Sequence, residues 1–265
     1  MVKLNKILFL SIIFLLLPLF CFQTIPDYPL KKDGTPSKNG IDYYIKENQN
    51  KIVSEFQNFV HDTLYDVYIS TDDLRKFMED DALGICLSTP SSSEIIITNE
   101  EKYIGYEVKL VPYRIRKVII EANNLVKGTL IHELGHFYFN QVIREISSLD
   151  TLHTISREYT SRFLIIPKKS FGAKFIEEGI CEYILLHLKE EIVAEGQFYL
   201  MQSSEFIMAE ENHYRVLYQY SPQYLNSFIN KFGVKKAIQI LVNNSPPSID
   251  EILYPEKFYS RLIIN

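Results

Sequence analysis

The hydrophobic patterning of the chain predicts an α+β protein, strand-rich in its N-terminal part and mainly helical beyond residue 125. Two observations carry this. Short β-branched runs recur before residue 122, bounded by polar or turn-forming residues. After residue 125 the apolar residues return at helical rather than alternating spacing.

Taken in order, Lys3 and Lys6 precede an uncharged apolar run, Ile7 to Phe22. A positive start followed by a short apolar core reads as an export signal. The run falls short of the ~20 residues that a spanning helix needs. No small-x-small cleavage site follows at Phe20-Cys21-Phe22-Gln23, so residues 1–23 are read as a signal peptide or signal anchor. The expected localisation is exported: secreted, periplasmic or membrane-anchored, with membrane association through this segment. Residues 24–42, with Pro26, Pro29, Gly34, Pro36 and Gly40, read as a linker or extended arm. Residues 43–265 are expected to form one domain, a size that buries a full core.

Within that domain, Tyr43 to Val60 suits an amphipathic helix, Val67 to Ser70 a strand and Asp72 to Asp80 a short helix. Ser91-Ser92-Ser93 is a loop before a strand over Glu94–Thr98. Tyr106–Val111 and Lys117–Glu121 read as further strands. Asn123-Asn124 then leads into a helix.

That helix carries His132-Glu133-Leu134-Gly135-His136 inside an apolar stretch. Residues i and i+4 share a helix face, so both imidazoles can grip one metal ion. Glu133 lies beside that ion, where a carboxylate can take a proton from an attacking water. Spacing and residue types suit Zn²⁺ with a glutamate as general base of a hydrolase. Gly135 is a poor helix former, and close packing is a reason for it.

A catalytic zinc takes three protein ligands. The metzincin pattern is excluded, because Phe139 and Val142 stand where it needs Gly and His. Downstream lies Ile176-Glu177-Glu178-Gly179-Ile180-Cys181-Glu182-Tyr183. With the HExxH pentapeptide, this block resembles the second motif of the gluzincin metallopeptidases, the thermolysin-like and aminopeptidase-N-like group. The resemblance covers about residues 90–240 and implies a zincin-like fold. By it, Glu178 is the third zinc ligand, and Glu182, one helical turn on, orients a ligand imidazole. Glu177 competes with Glu178 and points about 100° away on the same helix. His153 is a weak alternative third ligand. The interval between His136 and Glu178 is longer than usual for the group, so residues 146–172 are expected to be an insertion.

The segment Tyr218–Gly233 is similar to the helix that follows the zinc site in such peptidases, with Gly233 as its stop. By that resemblance Tyr218, or else Tyr220, donates a hydrogen bond to the oxyanion. The resemblance also implies that an edge strand pairs with an extended peptide substrate, the candidates being Glu94–Thr98 and Lys117–Glu121. His61, His187 and His213 have no metal-ligand partner at i+3 or i+4.

A net charge of −5 without a basic run argues against a nucleic-acid partner. Cys86 and Cys181, left once Cys21 is set aside, make no disulfide framework. The expected activity is zinc-dependent hydrolysis of a peptide or protein substrate, read as an endopeptidase since no motif for gripping a free amino terminus is recognisable. Two alternatives stand beside it: a non-catalytic zinc-binding protein on a peptidase-like fold, and a membrane-tethered interaction protein in which the pentapeptide is coincidental.

Overall fold

The computed structural model describes residues 38–74, 83–89, 92–98, 112–147, 159, 170–189, 206–207, 209 and 212–262. The expected signal, most of the expected arm, the strand at 106–111, His153 and most of the expected insertion lie outside them. Among the described residues, no helix is long and apolar enough to cross a membrane.

Two compact units make up the chain. One is Met1–Glu47 with Asn99–Leu125, the other Asn48–Thr98 with Val126–Asn265. In the first, the described residues are helical stretches, in which Ile41 and Ile45 are buried one turn apart. These stretches open helices α1 (Lys38–Val60) and α2 (Pro112–Ser147). Helix α1 thus starts earlier than expected and takes the last residues of the expected arm. Its buried residues Ile52, Phe56 and Val60 continue the helical spacing.

Lys117–Glu121 is a correction. These residues lie in α2, not in a strand. Pro112 at the first helical position has a backbone angle suited to starting a helix. The β-branched run that follows carries only a weak local strand preference, which helix continuation overrides. Asn123 and Asn124 are likewise inside the helix rather than ahead of it.

In the second unit a three-stranded sheet is ordered β1 (Tyr68–Asp72), β3 (Ser93–Thr98), β2 (Gly84–Ser88). β1 runs parallel to β3 and β2 antiparallel to it, with Gly84 opposite Ile97 and Ser88 opposite Ser93. Ile95, Ile96 and Ile97 are all buried, as befits a central strand covered on both faces. β2 was not expected, because Gly84-Ile85-Cys86-Leu87-Ser88 has neither a run of β-branched residues nor clean alternation. The expected helix over Asp72–Asp80 is also corrected at its start, since Asp72 ends β1.

From Val126 to Ile146, α2 is the central helix of this unit. Leu130, Ile131, Leu134, Phe137, Tyr138, Phe139, Val142 and Ile143 are buried and encircle it. Helix α3 (Phe171–Leu188) starts where the Ser170 side chain accepts from the Ala173 N–H. It crosses α2 closely: a Cβ at Gly135 would lie 2.9 Å from Cys181 Cα, so only glycine allows this approach. A widened helical turn (Arg215–Tyr220) leads into α4 (Ser221–Phe232), which packs on α3. Gly233, at φ 75°, ends α4 and opens α5 (Val234–Val242). Two short helices follow, α6 (Ile249–Leu253) and α7 (Pro255–Arg261).

A polar clamp joins the end of α1 to α2 and α5. Lys235 Nζ reaches Asp62 Oδ2 at 2.8 Å and Glu145 Oε2 at 2.9 Å, and Tyr138 OH donates to Asp62 Oδ2 at 3.0 Å. Burial pushes the Asp62 carboxyl up, but the hydrogen bond from Lys235, with those from the Thr63 N–H and Tyr138, outweighs it and holds the group below its usual value. A depressed carboxyl contributes stability above its unfolded pKa of ~3.9, and that stability is lost as pH falls through the folded value. Asp62→Asn is therefore expected to lower stability at pH 7 by about 1 kcal/mol, since exposure of Lys235 screens the pair. The difference from wild type should close as the solution is acidified below pH ~4. Urea melts at pH 7 and pH 3 check this, and an equal difference at both would contradict it.

Candidate active site

His132 and His136 lie one turn apart on the part of α2 that α3 crosses. Their rings stand 4.9 Å apart at 75°. The two Nδ1 atoms are turned outward to carboxylates: His132 Nδ1 is 2.8 Å from Glu182 Oε1, and His136 Nδ1 is 2.9 Å from Glu177 Oε1. A carboxylate beside Nδ1 favours an N–H there and turns each Nε2 toward the shared centre. The two Nε2 atoms face each other at 3.1 Å. Glu178 Oε2 closes the triangle at 3.3 Å from one and 3.4 Å from the other.

Three such atoms converging in this way call for positive charge among them, from protons on the imidazoles or from a metal cation. Tetrahedral zinc with bonds of ~2.05 Å spaces its ligand atoms about 3.4 Å apart, close to all three edges. Glu178 Oε2 is moreover buried without a hydrogen-bond partner, as an atom kept for a metal would be. The donor set, two imidazoles and one carboxylate, suits Zn²⁺.

The electrostatics are those of a cluster seeking positive charge. Burial works against a charged His132, but Glu178 and Glu182 more than restore it and raise the group to about 10. His136 is raised too, against burial, by Cys181 and Glu178 lying beside it. Burial would push Glu178 up, yet His136 and His132 hold it well below the carboxylate range.

Glu133 is buried on the same helix, next to the start of β2. A Cβ at Gly84 would stand 2.7 Å from Thr129 Cγ2 and 2.9 Å from Glu133 Cγ, so glycine at 84 makes room for the glutamate. Asn140 Nδ2 donates to Ser88 Oγ at 2.9 Å and to the His136 carbonyl at 2.8 Å, which ties the far end of β2 to the helix.

No family model, curated protein or solved structure matches this chain.

Of the two tyrosines considered for the oxyanion, Tyr218 lies with its ring 5.9 Å from that of His132. Tyr220 OH donates to the Ile252 carbonyl at 2.8 Å and serves packing instead. Burial, then Glu178, raises the Tyr218 phenol, so it keeps its proton and remains a donor at neutral pH. The widened turn that carries Tyr218 has a local cause. Pro222 lacks an N–H and its ring excludes the carbonyl four residues back, so the helix loosens just ahead of it.

Glu177, the competitor of Glu178 in the sequence, partners His136 Nδ1 and is almost fully buried at 1 % exposure. Gly84 was not singled out at all, and no motif announces it. Both strands expected to receive a substrate are corrected: Glu94–Thr98 is the central strand, paired on both sides, and Lys117–Glu121 is helical. Among the described residues the strand beside Glu133 is β2, which has a neighbour on one side only. His187 Nδ1 bonds the Tyr183 carbonyl at 2.8 Å, and His213 packs on the Phe171 ring, so neither joins the cluster.

Proposed function

We propose that the protein is a zinc-dependent peptidase of the gluzincin type with a zincin-like fold, exported by its N-terminal apolar segment. The observation that carries this reading is the triangle of His132 Nε2, His136 Nε2 and Glu178 Oε2, with Glu133 buried one residue along the same helix. His132, His136 and Glu178 would hold the ion. Zinc bound there would lower the pKa of a water toward neutrality and polarise the scissile carbonyl.

The remaining work falls to the chain's own groups. Glu133 accepts the proton of the attacking water and returns it to the leaving amine. Tyr218 keeps its phenolic proton and donates it as a hydrogen bond to the oxygen on which charge develops. Glu182 and Glu177 fix the tautomer and angle of the two imidazoles, so that neither ring must reorganise during turnover. Among the described residues β2 pairs on one side only, and its other side would offer main-chain groups to an extended peptide next to Glu133. A peptide or protein is the substrate class that this arrangement suits.

Elemental analysis of protein lacking residues 1–23 tests the reading. About one zinc per chain is expected, with peptide hydrolysis that a chelator removes and added zinc restores. Protein that takes up no zinc after reconstitution would overturn it.

A further inference from the structure

Tyr214 has a ring that the catalytic reading does not use. At 66 % it is the most exposed large apolar side chain among the described residues. Scattered exposed tyrosines are ordinary and need no explanation. This one is placed differently. Its ring stacks on that of Tyr218, with centroids 5.2 Å apart and planes 29° apart. Tyr218 in turn lies 5.9 Å from the His132 ring, tilted by 38°. The three rings follow one another in contact, from an imidazole of the candidate metal site through Tyr218 to the exposed ring of Tyr214.

The local backbone builds this succession of rings. Tyr214 and Tyr218 are four residues apart and lie at and just inside the widened turn, whose loosening traces to Pro222. Residues spaced in this way share a side of the helix, so one ring continues the line of the other. The inner tyrosine is sheltered by its neighbours, while the outer stacks on Tyr218 and is otherwise exposed among the described residues. An aromatic face held at a fixed angle by a stacked partner costs little further entropy when a second ring settles on it.

From this we infer that Tyr214 is a specificity-determining platform on which an aromatic side chain of the substrate peptide stacks, a few residues from the scissile bond. Two ring spacings separate Tyr214 from the ligand imidazole, and an extended peptide advances about 3.3 Å per residue. The inference rests on the peptidase reading for its substrate class, and its test keeps the two apart.

The chain contains no tryptophan, so the emission of a tryptophan-bearing peptide is seen without background. The measurement uses zinc-loaded Glu133→Gln protein, so that peptides bind without being cut. A series of Ala/Ser peptides of one length carries a single Trp at successive positions. At one or two positions the Trp peptide should bind about 5–10-fold more tightly than the Trp-free parent, whose affinity is read from its displacement of the Trp peptide, as a stacked aromatic pair would give. Adding Tyr214→Ala should bring that affinity down to the parent's, while Tyr214→Phe retains the advantage and zinc content stays at about one per chain in both. An advantage that survives Tyr214→Ala, or no advantage at any position, overturns the platform. Hydrolysis by the unsubstituted protein is measured alongside. Cleavage with no Tyr214-dependent preference refutes the platform alone. Tyr214-dependent binding without cleavage refutes the peptidase reading and leaves the platform standing.

Discussion

Glu133→Gln is expected to leave about one zinc per chain in place and to lower kcat for peptide hydrolysis by on the order of 10²–10⁴-fold. The substitution is chosen for its shape. Glutamine fills the same space beside Gly84, where an added Cβ would already crowd the glutamate Cγ, so the β2 contact is kept. None of the three candidate ligand atoms belongs to Glu133, and the Glu182 and Glu177 carboxylates still hold the imidazoles. What is lost is the ability to accept a proton, since an amide is no base at neutral pH. A thousandfold loss corresponds to about 4 kcal/mol of barrier. The loss should appear in kcat more than in KM, because the proton moves in the transition state and not on binding. Wild-type rates in zinc-loaded Glu133→Gln protein would remove Glu133 from its role. Zinc-loaded unsubstituted protein that cuts no peptide would favour instead a metal-binding protein without turnover.

How far the sequence discloses this site depends on the range of the forces involved. The pairing of His132 with His136 is legible because helix geometry alone puts i and i+4 on one face. Gly135 is legible as a close-packing position for a similar reason, and the Cys181 backbone lies where its side chain would be. Glu178 and Glu177 differ by one residue, and spacing cannot say which turns toward the two inward nitrogens. That choice is made by how α3 crosses α2, a tertiary fact. The crossing turns Glu178 toward the two Nε2 atoms and Glu177 toward the outer nitrogen of His136. That Tyr218 rather than Tyr220 lies beside His132 is a similar case, set by a loosened turn whose one local sign is Pro222.

The fold divides along the same line. β3 is readable from three successive isoleucines, whereas β2 has no such run and exists through its pairing with β3. The strand expected over Lys117–Glu121 fails because a β-branched run reports a local preference worth a few tenths of a kcal/mol per residue. A helix of the length of α2 sums many such terms and overrides it.

Removing Glu178 should have the largest effect on the metal itself. Glu178→Ala is expected to purify without zinc and to regain none at micromolar concentrations, because two imidazoles alone leave a tetrahedral site half built. Glu177→Ala is expected to behave differently. It removes the partner of His136 Nδ1 and not a ligand, so zinc should still bind at one per chain with affinity weakened 10–100-fold. Thermal melts with and without zinc give a second readout. A ligand that binds only the folded protein stabilises it by about 2.7 kcal/mol at a hundred times its dissociation constant. The unsubstituted protein should show such a shift, Glu177→Ala a smaller one at the same zinc concentration, and Glu178→Ala none. If Glu177→Ala lost zinc while Glu178→Ala kept it, the ligand would be Glu177 and α3 would have to meet α2 rotated by about 100°. The distances speak against that rotation, because Glu178 Oε2 lies within 3.4 Å of both inward nitrogens while Glu177 Oε1 is engaged at 2.9 Å with the outward one.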